Sequence, residues 1–154
     1  MHLYIIRHGK AQQDSPTGRD RERELAPRGE RQAEWLGERL AGGSDAPTRI
    51  VSSPFVRADQ TARLVSKPLR VDLVYDDRLI VDEPAGGVFE LIGEFNAGDR
   101  VALVGHNPQL SRVCGMLAKD PTFEMKTGMC AVFEIAEPRN AHGNARLVGV
   151  MRMD

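Results

Sequence analysis

Short runs rich in β-branched residues alternate with amphipathic stretches along the whole chain. Residues 3–6 (LYII), 49–52 (RIVS), 71–75 (VDLVY), 101–104 (VALV) and 130–135 (CAVFEI) have the length and composition of strands, and 146–151 (RLVGVM) reads as a last one. Between them the apolar residues recur at helical spacing. Ala33, Leu36 and Leu40 line a helix opening at Pro27. Phe55, Ala58, Ala62 and Val65 line a second, Val88, Leu91, Ile92 and Phe95 a third, and Leu110, Val113, Cys114 and Leu117 a fourth. Strands alternating with helices bury their apolar faces best as an α/β sandwich. The expectation is a three-layer α/β/α arrangement around a mostly parallel sheet, as a single domain over residues 1–154. The stretch 136–145 (AEPRNAHGNA) reads as a turn between two antiparallel strands. The polar stretch 12–24 (QQDSPTGRDRERE) reads as a surface loop, with Arg19, Arg21 and Arg23 solvated.

Composition narrows the partners. The chain has 21 basic and 22 acidic residues, a net charge of −1. That balance gives no general attraction to nucleic acid or to an anionic membrane, so a basic site must be local. No apolar run approaches the roughly 20 residues of a membrane span. The N-terminus lacks the long apolar region of a signal peptide, so a cytoplasmic location is expected. Cys114 and Cys130 show no C-x-x-C spacing and no clustered histidines, so they read as core residues rather than metal ligands.

Three strand ends run into polar or basic residues, and the last two share one grammar. The first strand runs into Arg7, His8 and Gly9, the second into Ser53-Pro54, and the fourth into Gly105-His106-Asn107-Pro108. A small polar residue suits a helix N-cap and proline the first helical position. Two helix N-termini are therefore expected just beyond two strand ends, where open parallel sheets bind ligands and where free N–H groups favour anions. Arg57 falls in the first turn of one such helix, and His106 just before the other. Arg7, His8, Arg57 and His106 can thus meet at one sheet edge. Arginine forks match phosphate oxygens. A neutral imidazole is a nucleophile able to carry a phosphoryl group, and a second histidine can stabilise charge on the transferring group. No nucleotide-binding P-loop and no metal-ligand spacing is present, so neither cofactor nor metal is expected.

"RHGKA" at 7–11, "DRERELAPRGERQA" at 20–33, "SSPFVRADQTA" at 52–62, "VGHNP" at 104–108 and "KTGMCAVFEI" at 126–135 resemble the histidine phosphatase, or phosphoglycerate mutase-like, superfamily. The nearest likeness is to its small SixA-type phosphohistidine phosphatases. The resemblance implies that His8 is the phosphorylated nucleophile and that Arg7 and Arg57 clamp the phosphate. It implies that His106 is the second pocket histidine, that the Gly9 carbonyl orients His8, and that Asn107 adjoins the substrate. Many superfamily members carry a glutamate general acid two residues after a leucine beyond the third strand. Here Leu79 is followed by Ile80 and Val81, with Asp82 and Glu83 out of register. An alkoxide leaving group needs a proton, whereas phosphohistidine can protonate its far ring nitrogen and leave as neutral imidazole. The expected substrate is therefore a phosphohistidine-bearing protein, the small size of the chain leaving little for a lid. A phosphatase of small phosphomonoesters, using Asp82 or Glu83 as acid, is the alternative enzyme. A phosphoprotein-binding module without turnover is the alternative outside enzymes.

Overall fold

The computed structural model describes residues 1–153. The elements run β1 (His2–Arg7), α1 (Pro27–Ala41), β2 (Arg49–Ser52), α2 (Val56–Leu69), β3 (Asp72–Tyr75), α3 (Ala85–Ile92), β4 (Arg100–Gly105), α4 (Gln109–Ala118), β5 (Cys130–Ile135) and β6 (Ala145–Met151). All six expected strands and all four helices are present. They form one sheet in the order β3-β2-β4-β1-β5-β6. β1, β2, β3 and β4 pair in parallel, while β5 and β6 run antiparallel.

The near-continuous apolar runs in β1 and β4 follow from burial on both faces. Leu3 and Ile5 of β1, with Val101 and Leu103 of β4, point into a core shared with α3 and α4. Tyr4, Ile6, Ala102 and Val104 point the other way, into a core shared with α1 and α2. A side-chain period of two in fully covered strands leaves no polar face. The α1–α2 contact depends on Gly37. A Cβ there would come within 2.9 Å of the Pro68 ring and 3.0 Å of the Val65 Cα, so the helices approach at backbone distance.

The structure corrects three details. Pro54 and Pro108 stand before their helices rather than at the first helical position, since α2 starts at Val56 and α4 at Gln109. Neither N-cap residue makes a side-chain cap bond, and a side chain one residue upstream of each proline accepts a backbone N–H instead. Ser53 Oγ accepts from the Phe55 N–H at 3.2 Å, and Asn107 Oδ1 accepts from the Ser111 N–H at 3.1 Å. The third helix stops at Ile92, where Gly93 takes the C-cap, so Phe95 packs against the core from beyond it. The polar stretch 12–24 contains a single 3-10 turn, Asp20–Glu22, which folds back onto α2. Among the described residues, no helix is long and apolar enough to cross a membrane.

Candidate active site

The carboxyl ends of β1 and β4 lie side by side, with that of β2 next to β4. This puts Arg7, His8, Ser53 and His106 at one edge of the sheet. The backbone of β1 is held right up to its last residue. The Arg7 N–H donates to the Met129 carbonyl at 3.0 Å, and the His8 N–H to the Gly105 carbonyl at 3.0 Å. The Gly128 N–H donates to the carbonyls of Arg7 and His8, at 3.1 and 2.9 Å. His8 is 6% exposed, so its ring has little freedom.

The proton position on His8 follows from its partner. Nδ1 lies 2.7 Å from the Gly9 carbonyl oxygen. A carbonyl only accepts, so Nδ1 carries the hydrogen and Nε2 carries the lone pair. Nε2 faces Arg57 Nε at 3.4 Å. Gly9 is itself fixed. Its N–H donates to Thr61 Oγ1 at 3.1 Å, and a Cβ at Gly9 would stand 2.6 Å from the Gly29 carbonyl oxygen. Only glycine lets this turn press against the start of α1.

Arg57 emerges from the first turn of α2, and its side chain is 4% exposed. Its Nη1 donates to the Asp20 carbonyl at 2.8 Å and its Nη2 to Asp20 Oδ2 at 3.2 Å. The other Asp20 carboxylate oxygen accepts from Arg23 Nε at 3.0 Å. Phe55 completes this corner. Its ring lies under Arg57 and Arg21, at 5.4 and 5.6 Å, and edge-on to His106 at 5.3 Å. Arg7 donates through Nη1 to the Met125 carbonyl at 3.1 Å, and its buried Nε has no protein partner. The His8 and His106 rings sit 5.2 Å apart. His106 Nε2 lies 2.8 Å from Ser53 Oγ. Asn107 adjoins the cluster but braces it. Its Nδ2 donates to the Met125 carbonyl at 2.7 Å, and its Oδ1 accepts from the Ser111 hydroxyl at 2.8 Å.

Burial sets the electrostatics, and an excess of positive charge reinforces it. Desolvation pushes His8 down to about 3, opposed by the Gly9 hydrogen bond and reinforced by Arg57, Arg7 and Arg23. Desolvation, then His8 and the same arginines, takes His106 to about 2. Both rings are neutral near pH 7. Burial also lowers Arg7 and Arg57 below the usual arginine value, with Asp20 opposing this at Arg57. A bound dianion would offset the mutual repulsion of these positive groups. α4 satisfies two of its early N–H groups internally, from Leu110 to the His106 carbonyl and from Ser111 to Asn107.

The structure brings Arg7, His8, Gly9, Arg57 and His106 together, as the sequence suggested. Asp82 and Glu83 are exposed, and their carboxylates make no hydrogen bond or ion pair among the described residues. Sequence reasoning missed Asp20, Ser53 and Thr61 as parts of the site. Thr61 lies one helical turn after Arg57, a spacing that places both on one face. Ser53 had been read only as a cap. Asp20 left no sequence signal, because its contact crosses 37 positions. No group of three or more His, Cys, Asp or Glu able to hold a metal occurs among the described residues.

Comparison with known proteins agrees with this fold. Among solved structures, the protein histidine phosphatase SixA complexed with tungstate superposes with a TM-score of 0.86. It is 25% identical, over 99% of this chain and 97% of that one. A chain from Agrobacterium tumefaciens, provisionally named the phosphohistidine phosphatase SixA, gives 0.84 at 26% identity, over 99% and 98%. A mitochondrial serine/threonine-protein phosphatase PGAM5 of Xenopus tropicalis is 38% identical over 68 residues, 44% of this chain. The match spans only 24% of that relative's length. The family model for the histidine phosphatase superfamily (branch 1) matches residues 3–90, and the chain belongs to that superfamily.

Proposed function

We propose that the protein is a phosphatase that removes phosphate from phosphohistidine on a partner protein, through a phosphorylated His8. The observation that carries the reading is the His8 ring. Its Nδ1–H is held by the Gly9 carbonyl and its Nε2 lone pair is directed at Arg57. The end-to-end likeness to SixA-type structures supports the substrate class.

The chemistry balances without metal or nucleotide. Nε2 of His8 attacks phosphorus, a P–N bond forms on His8, and the P–N bond of the substrate breaks. The substrate imidazole leaves neutral when its far nitrogen is protonated. His8 keeps its Nδ1 hydrogen throughout, so phosphorylated His8 is an imidazolium stabilised by the Gly9 carbonyl. Water then attacks phosphorus, a P–O bond forms, and His8 leaves as neutral imidazole with no proton supplied to it. The water's proton passes to solvent or to the product phosphate. Arg7 and Arg57 hold the equatorial oxygens through both steps. The carboxylate bound to Arg57, Asp20, has both oxygens occupied by arginines, which suits an anchor rather than a proton donor.

The partial match to serine/threonine-protein phosphatases favours a second reading, hydrolysis of phosphoesters with Asp82 or Glu83 as acid. Measuring kcat/KM on a phosphohistidine protein and on a panel of phosphomonoesters separates the two. Wild type should prefer phosphohistidine, and Asp82→Asn and Glu83→Gln should leave that activity within about twofold, since general acid catalysis contributes roughly 10²–10⁴-fold where it operates. Val81→Glu should raise phosphomonoester turnover selectively. Preference for phosphomonoesters in the wild type, with collapse in either carboxyl variant, would establish the second reading instead.

A further inference from the structure

The hydroxyl of Ser53 has an arrangement that decides where His106 carries its proton. Ser53 is fully buried just past the end of β2, and its N–H donates to the Val104 carbonyl at 2.9 Å. Its Oγ has two neighbours. The Phe55 N–H donates to it at 3.2 Å, and His106 Nε2 lies 2.8 Å away. A serine hydroxyl has one hydrogen and two lone pairs. The Phe55 N–H can only give, so it takes one lone pair. If Nε2 of His106 also gave a hydrogen, the Ser53 hydrogen would have no acceptor among the described residues. A buried hydroxyl left in that state is strongly disfavoured. The arrangement that satisfies every group has the Ser53 hydroxyl donating to Nε2.

We propose that Ser53 is a positioning residue that holds His106 in the Nδ1–H tautomer, so that His106 presents a hydrogen-bond donor to the phosphoryl oxygens. The remaining geometry fits. His106 Nδ1 is buried and has no protein partner. Its ring is 1% exposed and stands 5.2 Å from the His8 ring. The positive groups facing it are Arg7 from β1, Arg57 from α2 and Arg23 from the 12–24 loop; together with burial they keep it neutral. The two pocket histidines then share one tautomer and show opposite faces. His8 gives its Nδ1–H to Gly9 and shows a lone pair. His106 receives a hydrogen at Nε2 and shows an N–H. A lone pair at the second position would repel the phosphate oxygens. An N–H attracts them, more strongly as charge grows on them during transfer.

The inference rests on the phosphate-site reading above, and its primary test does not use activity. Heteronuclear NMR of histidine-labelled full-length protein distinguishes a protonated ring nitrogen from a bare one, with His106→Asn providing the assignment. The expected spectrum shows His106 with a protonated Nδ1 and a bare Nε2. Added tungstate, the probe for the phosphate position, should move the Nδ1–H proton downfield. Ser53→Ala should broaden or exchange that tautomer pattern and lower kcat by about 10–100-fold, less than the 10²–10³-fold of deleting such a donor outright, with a smaller change in KM. Ser53→Thr, which keeps the hydroxyl, should restore both. A protonated Nε2 in the wild type overturns the proposal even if neither variant folds. So does an Nδ1–H proton indifferent to tungstate, or a Ser53→Ala variant with unchanged tautomer and kcat. The expected spectrum in a protein that hydrolyses no phosphohistidine would leave the tautomer assignment standing and remove the proposed substrate.

Discussion

A solvated imidazole is half-protonated near pH 6.5, yet burial, reinforced by Arg57 and Arg7, takes His8 and His106 to about 3 and about 2. A histidine with a folded value below its unfolded value of about 6.5 binds fewer protons in the native state. Stability therefore rises with pH through that window and is lost as pH falls below about 6.5. Each buried histidine costs roughly 1.4 kcal/mol per pH unit once the unfolded ring is fully protonated. Urea unfolding between about pH 6 and pH 5 should show this slope in the wild type, and His8→Asn should reduce it by about half. A wild type with flat stability there would mean that the rings accept protons in the folded protein. At this scale the sequence was legible for Arg7, His8, Arg57 and His106, because three of them stand at strand ends, Arg57 stands in the first turn of the helix after another, and parallel strand ends converge. Asp20 was illegible: a loop carboxylate finds Arg57 only after the chain has folded. The hydroxyl roles of Ser53 and Thr61 were equally hidden, since a serine before a helix reads as a cap and a threonine inside one gives no sign of a partner outside it.

At the scale of elements, α2 is what turns a strand end into a site. Its first turn supplies Arg57, and Thr61, one turn on, accepts from the Gly9 N–H and donates to the Arg57 carbonyl at 2.8 Å. Thr61 thus ties the peptide that orients His8 to the helix that carries the clamp. Thr61→Val keeps the shape and removes both bonds, leaving the buried Gly9 N–H unpaired. The expected cost is about 1–3 kcal/mol in stability, with a fall in kcat larger than the change in KM, and Thr61→Ser should recover most of both. A Thr61→Val variant with wild-type kcat would show that the Gly9 turn is held by Gly29 alone. Element identities were legible here from periodicity. Their ends were less so, because apolar spacing does not mark where hydrogen bonding stops. Phe95 keeps helical spacing after α3 has ended, and Phe55 keeps it before α2 has begun.

At the scale of the whole molecule, the strand order explains why residues from three distant strand ends share one edge. β4 inserts between β1 and β2, so the ends carrying His8, His106 and Ser53 become neighbours although Ser53 and His106 are 53 positions apart. The layer arrangement was legible in the alternation of elements. The insertion of β4 between the first two strands was not, because pairing partners leave little trace in local pattern. The proposed chemistry requires His8 to carry the phosphoryl group. The direct measurement is rapid denaturation during turnover of a radiolabelled phosphohistidine protein, followed by peptide mapping of the enzyme. The expected result is acid-labile, base-stable label on the peptide containing His8, and none on a folded His8→Ala variant, which should also lack turnover. Label on a different residue, or a His8→Ala variant that still hydrolyses the substrate, would contradict it.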